Sequence, residues 1–163
     1  GGSFGQTISQ AAGVAWARSW KKEKGLVWLF LSDGEFQEGQ TWEALMSMAF
    51  HNISNIKIVV DVNGQQVDGR TSDVMNLEPF LKKVSSFGAC VKQVDGHNLR
   101  ALNNAFETFH EDKPLVVLAK TLPYKGMDIL EGRYPFLHYV RFKDEHERND
   151  FKNYLKQMKS RKL

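Results

Sequence analysis

The sequence predicts an α/β fold, a doubly wound and mostly parallel sheet with helices on both faces. Three observations carry this. Helix-like and strand-like segments alternate at short spacing along the chain, the pattern of β-α units laid into one sheet. The first strand-like segment, LVWLFL at 26–31, is an unbroken apolar run, as expected for a parallel strand covered on both faces. That segment and a second, IKIVVDV at 56–62, each end at an acidic or amide residue beside a glycine: Asp33-Gly34 and Asn63-Gly64. In such sheets ligands bind outside the carboxyl ends of the strands.

The elements follow in order. GGSFG at 1–5 is a loop. Ile8, Ala11, Ala12, Ala15 and Trp16 then form the stripe of a helix packed on one face, with Lys21, Lys22 and Lys24 past its end, where cations suit the dipole. Residues 38–51 are expected to be helical, with Trp42, Leu45, Met46, Ala49, Phe50 and Ile53 in phase. Residues 64–69 are a loop with an Asp68-Gly69 turn. Asn76 is expected to cap a short helix with Pro79 in its first turn and Leu77, Phe80, Leu81 and Val84 on one face. Gly88 stops it. Ala89 to Val94 is a third strand. Asn98 starts a helix with Leu99, Leu102, Phe106 and Phe109 inward, and Leu115 to Ala119 is a fourth strand. Residues 120–140 show no period and are longer than an ordinary connector, which marks them as functional or as a docking segment. Asp144 and Glu147 resemble a capping box before a last helix with Phe151, Tyr154, Leu155 and Met158 in phase. The chain ends in the basic tail KSRKL. Residues 1–143 are read as one domain and 144–163 as its C-terminal helix and tail.

Composition sets the bounds. The 163 residues are 42% hydrophobic and 25% charged, with a net charge of +3, ordinary values for one globular domain. No basic face is concentrated enough to suggest nucleic acid. No apolar run approaches the roughly 18 residues of a membrane helix, and no secretory signal is visible. The single cysteine, Cys90, excludes an internal disulfide and fits a reducing, cytoplasmic setting. The chain lacks an initiator Met and opens on a loop, so further residues are expected upstream.

At the strand ends the residue types suit a hard cation. Mg²⁺ takes about six oxygens, one or two of them carboxylates, and leaves the rest to phosphates and water. Asp33 offers a carboxylate, Asn63 an amide oxygen and Gln65 a backbone carbonyl. Gly34 has no side chain, so its N–H and the neighbouring backbone at Glu35 can approach a phosphate, and the following helix N-terminus favours the same anion. Each Asx-Gly pair alone reads as a plain turn. Together, with a helix between them, they point to one metal-and-phosphate site. No P-loop or GxGxxG follows a strand, so a generic nucleotide-binding domain is a weaker reading.

SDGEFQEGQTWEA at 32–44 and DVNGQQVDG at 61–69 resemble the cofactor motif of the transketolase family, with Asp33 and Asn63 thirty positions apart. GGSFGQ at 1–6 resembles that family's opening glycine loop, and QVDGH at 93–97 its DGH turn. KTLPYKG at 120–126 is similar to its lysine-glycine segment, and His138 to the histidine that follows. The matches cover about residues 1–140, in the family's order. The resemblance implies a thiamine diphosphate-binding fold, with Mg²⁺ (or Ca²⁺) on Asp33, Asn63 and the Gln65 carbonyl. The diphosphate would lie on Gly34 and Glu35 backbone, and Gly2 and Phe4 beside the aminopyrimidine. It places Glu38 and Glu43 at a dimer interface near the active sites, where surface or capping carboxylates are the plainer reading. It makes His138 a substrate-contacting or acid/base group, against a plain loop histidine. His97 reads as structural, and Lys125 equally as a phosphate contact or a solvated lysine.

Three positions depart from the family pattern. Ser32 stands for a glycine, which a negative φ would tolerate. Val62 stands before Asn63 in place of Asn or Asp, and Thr7 replaces a loop glycine. The family's upstream histidines and the glutamate that activates the aminopyrimidine have no counterpart here. The implied function is therefore the diphosphate-binding subunit of a split transketolase. It would act in a homo- or hetero-oligomer with a pyrimidine-binding partner on sugar phosphates, transferring a two-carbon ketol unit. The alternatives are another thiamine diphosphate enzyme, such as a decarboxylase or specialised acyl transferase, and a non-catalytic scaffold.

Overall fold

The computed structural model describes residues 2–160; Gly1 and the last three residues of the basic tail lie outside them. Four parallel strands form the sheet: β1 (Val27–Ser32), β2 (Ile56–Val62), β5 (Cys90–Asp95) and β6 (Leu115–Lys120), in the order β1-β2-β6-β5. Between β2 and β5 lies a two-residue antiparallel hairpin, β3 (Gln65–Gln66) and β4 (Gly69–Arg70). The helices are α1 (Gln6–Trp20), α2 (Gly39–Phe50), α3 (Thr71–Val74), α4 (Phe80–Ser86), α5 (Leu99–Phe106) and α6 (Glu145–Ser160), with 3₁₀ turns at Asp33–Gln37 and Asp128–Arg133. Four helices, four strands and the last helix thus stand close to where the periodicity puts them.

Strand alternation sorts the side chains into two layers. Leu29, Leu31, Ile56, Ile58, Val60, Val116 and Leu118 pack with Ile8, Ala12 and Ala15 of α1, Leu45 and Met48 of α2, and Phe80 and Val84 of α4. On the other face Leu115 and Val117 pack against Ala105, Leu102 and Phe106 of α5. The central strand β6 is buried on both faces. β1 is not: Trp28 is 53% and Phe30 72% exposed, which corrects the expectation of a strand covered twice. Trp28 meets the edge of Phe106, and the Lys57 ammonium lies over its ring. An apolar run shows that both faces are apolar, not that both are covered.

Other details also differ from the periodic reading. α2 buries Thr41, Ala44, Leu45 and Met48, while Met46 and Phe50 point outward. The helix is apolar nearly all round, so its period does not choose a face. Leu99 and Phe109 are exposed rather than inward. Asn76 caps no helix: its side chain accepts from the Glu78 N–H, and α4 begins after Pro79. Asp144 does accept the Glu147 N–H, but Glu147 returns to the Lys143 N–H, one residue earlier than a capping box requires.

Parallel register decides where the chemistry gathers. Ser32 lies beside Asp61, and Asp61 beside Ala119; Val62 lies beside Lys120, and Lys120 beside Asp95. The segments after all four strands therefore meet at one edge of the sheet.

Candidate functional site

Asp33 follows β1 directly and is 2% exposed. Ser32 before it has φ −103, so a serine is accommodated there without strain. One Asp33 oxygen accepts the Gly34 N–H at 3.0 Å and the other the Gly64 N–H at 2.9 Å. The Thr71 hydroxyl donates to that second oxygen at 3.5 Å. Among the described residues no lysine, arginine or histidine forms an ion pair with it. Burial pushes its pKa up to about 6; the Gly64 and Gly34 N–H groups oppose the rise, and the charge of Asp61 adds to it. This carboxylate is held in a place that disfavours its charge.

Asn63 follows β2. Its Oδ1 accepts the Gln65 N–H at 3.0 Å, an Asx turn, and its Nδ2 donates to Asp61 Oδ2 at 2.9 Å. Gly64 has φ +72, and a Cβ there would lie 2.8 Å from the Tyr134 hydroxyl. Only glycine suits both constraints, and its N–H donates to Asp33. The Tyr134 hydroxyl stands 3.3 Å from the Asn63 carbonyl and 3.4 Å from that of Gly64, and burial holds its pKa above the ordinary phenol value. The Gln65 side-chain Oε1 is buried with no hydrogen-bond partner among the described residues.

A Cβ at Gly34 would fall within 3.4–3.8 Å of Gln66, Ser32 and Phe4, so a side chain would fill the space those three enclose. The helix after Gly34 starts within one residue of where the sequence puts it, but a turn the sequence did not announce stands before it. A 3₁₀ turn occupies Asp33–Gln37, and α2 starts at Gly39 with Glu38 as its N-cap residue. The α-helical N-terminus is set back from Gly34 and carries a carboxylate. The Glu35 side chain accepts the Gly5 N–H at 2.5 Å. Gly5, with φ 74, is the N-cap residue of α1. Glu35 thereby ties the opening loop, with Gly2 and Phe4, to the strand end.

Phe4 and His138 line one cavity of about 250 Å³ with Ser32, Asn63, Gln65 and Gln66. The structure therefore brings together Phe4, Asp33, Gly34, Asn63, Gln65 and His138. Gly2 is exposed, and nothing lies where its Cβ would be. Glu38 and Glu43 are exposed; Glu38 lies beside Gly5 of the opening loop, and Glu43 lines a groove between α1 and α2. His97 accepts the Leu122 N–H at 2.8 Å, a structural latch as expected. Lys125 lines a neighbouring cavity of about 500 Å³ with His97, Lys120 and Thr121. Sequence reasoning missed Asp61, Thr71 and Tyr134. Asp61 carried one signal, its place two residues before Asn63 on the same strand face.

These features define a class: a parallel α/β domain whose strand ends converge on a buried carboxylate and a glycine-rich turn. Comparison with known proteins gives the family. The model of the transketolase thiamine diphosphate-binding domain matches residues 1–134, and the chain belongs to that family. An uncharacterised transketolase-family protein of Sinorhizobium fredii is 37% identical over 136 residues, 82% of this chain and 49% of that protein. An apulose-4-phosphate transketolase subunit from Actinobacillus succinogenes is 33% identical, over 90% of this chain and 53% of its own. The 6-deoxy-6-sulfo-D-fructose transketolase subunit SqwG of a Clostridium species is 34% identical, over 81% and 49%. The chain thus spans about half the length of these relatives. The crystal structure of Campylobacter jejuni transketolase superposes with a TM-score of 0.64 at 25% identity, covering 72% of this chain and 20% of that one. No described helix is long and apolar enough to cross a membrane.

Proposed function

We propose that this chain is the diphosphate- and metal-binding part of a cytoplasmic, oligomeric transketolase-like transferase. That enzyme would move a two-carbon ketol unit from a ketose with an anionic end to an aldehyde acceptor. The observation that carries the reading is Asp33, a buried carboxylate without a cationic partner among the described residues, bonded to the Asn63–Gly64 turn in a chain of this family. Two relatives, each named as one subunit of its enzyme, carry the names of a phosphorylated and a sulfonated sugar. They support both the anionic donor and a companion chain carrying the pyrimidine-binding domain.

The residues present fit the cofactor. Asp33, the Asn63 amide oxygen and the Gln65 carbonyl are a hard-oxygen set with a single carboxylate, which suits Mg²⁺ (or Ca²⁺) shared with a diphosphate. The space a Cβ would fill at Gly34 remains open beside it. When bound, thiamine diphosphate supplies a carbon nucleophile and an electron sink for the donor carbonyl. This chain's own residues do the rest. Asp33 trades its raised proton affinity for the metal. Phe4, held through the Glu35–Gly5 bond, covers one wall of the cavity and excludes water. His138, across that cavity, holds a donor hydroxyl or moves its proton. Glu38 lies exposed at the start of α2, where it would meet the partner carrying the pyrimidine site.

The test is reconstitution. The chain alone should show no ketol transfer. Mixed with a pyrimidine-domain subunit, thiamine diphosphate and Mg²⁺, it should transfer from a ketose phosphate to an aldehyde. Transfer by the chain alone would show that no partner is needed.

A further inference from the structure

We infer that Asp61 is a positioning residue for the metal site: its carboxylate orients the Asn63 amide so that oxygen, not nitrogen, faces the cation. The inference rests on the proposed metal-binding role of Asn63. An asparagine amide has an acceptor end and a donor end of nearly equal shape, and only the oxygen end ligates a cation. Two contacts of opposite polarity choose between them. The Asn63 Nδ2 donates to Asp61 Oδ2 at 2.9 Å, and the Gln65 N–H donates to Asn63 Oδ1 at 3.0 Å. A flipped amide would set its NH₂ against the Gln65 N–H and its oxygen against a carboxylate.

The sequence already places the pair, because residues two apart on a strand share a face. Asp61 is itself held: the Thr121 hydroxyl donates to its other oxygen at 2.5 Å, and the Thr121 N–H donates to the Val62 carbonyl at 3.1 Å. The Thr121 hydroxyl, the Asp61 carboxylate and the Asn63 amide therefore form one chain that runs from the end of β6 across β2 to the metal turn. An alanine at position 61 has no acceptor, so it leaves the Asn63 amide free to turn. Groups that hold a metal ligand in orientation commonly contribute about 10–100-fold to metal affinity.

The experiment is calorimetric titration of the full chain with thiamine diphosphate at fixed Mg²⁺. Asp61→Ala should weaken binding about 10-fold. In an Asn63→Ala background the same change should add nothing, since Asp61 would have no amide left to orient. Thr121→Val, which leaves charge unchanged, should weaken binding about threefold through the loosened carboxylate, and Thr121→Ser should restore it by returning the hydroxyl. Metal-free melting curves confirm that each variant is folded at the titration temperature. If Asp61→Ala binds as wild type does, or weakens binding equally with and without Asn63, the orienting role is wrong while the metal site stands. If wild type shows no Mg²⁺-dependent binding, the proposed site itself fails and this inference with it.

Discussion

The two halves of the site are built differently. Around Asp33 and Asn63 the polar groups are bonded to one another and to backbone: Gly34, Gly64, Gln65, Asp61 and Thr71 all take part. Glu38, Glu43 and His138 are exposed. His138 touches the edge of Tyr139 and lines the cavity, but no hydrogen bond fixes its ring among the described residues. The chain pre-organises the groups that would anchor a cofactor and leaves the groups that would act on a substrate unbraced.

The contrast can be broken at either end. The largest effect belongs to the unbraced side. His138→Ala should lower ketol transfer in the reconstituted complex about 100-fold, while cofactor binding by calorimetry stays within about twofold. A parallel loss of binding would show that His138 belongs to the anchor.

On the braced side, Asp33 should leave a signature in stability. Its folded pKa of about 6 lies above the ordinary value of 3.8, so the folded chain holds the proton more tightly than the unfolded one. Its contribution is fully present below about pH 4 and is lost as pH rises through about 6, by on the order of 3 kcal/mol in the metal-free chain. Urea unfolding across that window should show the decline, and Asp33→Asn should flatten it.

Gly64→Ala should cost about 1–2 kcal/mol, since alanine at φ +72 is strained and its Cβ meets Tyr134. The melting temperature reports it, together with weaker cofactor binding as the N–H aimed at Asp33 shifts. The smallest effect is that of Tyr134→Phe. It removes long bonds to two carbonyls, and about 0.5–1 kcal/mol of stability should go with them.

The difference between the halves also explains what the sequence made legible. Asp33 and Asn63 could be found because a strand end, an Asx residue and a glycine coincide twice, and because these local signals survive without tertiary information. Asp61 could be found in principle, since its partner is two residues away. Thr71 and Tyr134 could not. They reach the site through a four-residue helix and an aperiodic loop, and their partners lie 38 and 71 residues distant. The sheet itself was readable from alternation and apolar runs. The open face over Trp28 and Phe30 was not, since hydropathy reports what a surface is made of and not what lies on it. The 3₁₀ turn after Asp33 was missed for a related reason. Residues 33–37 carry no period long enough to separate one helical turn from the start of α2.

The central claim is that Asp33 and Asn63 form an anchor for a metal diphosphate. Its most direct test is titration of thiamine diphosphate into the wild-type chain and into Asp33→Ala, with Mg²⁺ and with chelator. Wild type should bind saturably, chelator should abolish that binding, and the variant should lose about 100-fold or more. Equal binding by both proteins, or binding indifferent to Mg²⁺, would contradict the claim.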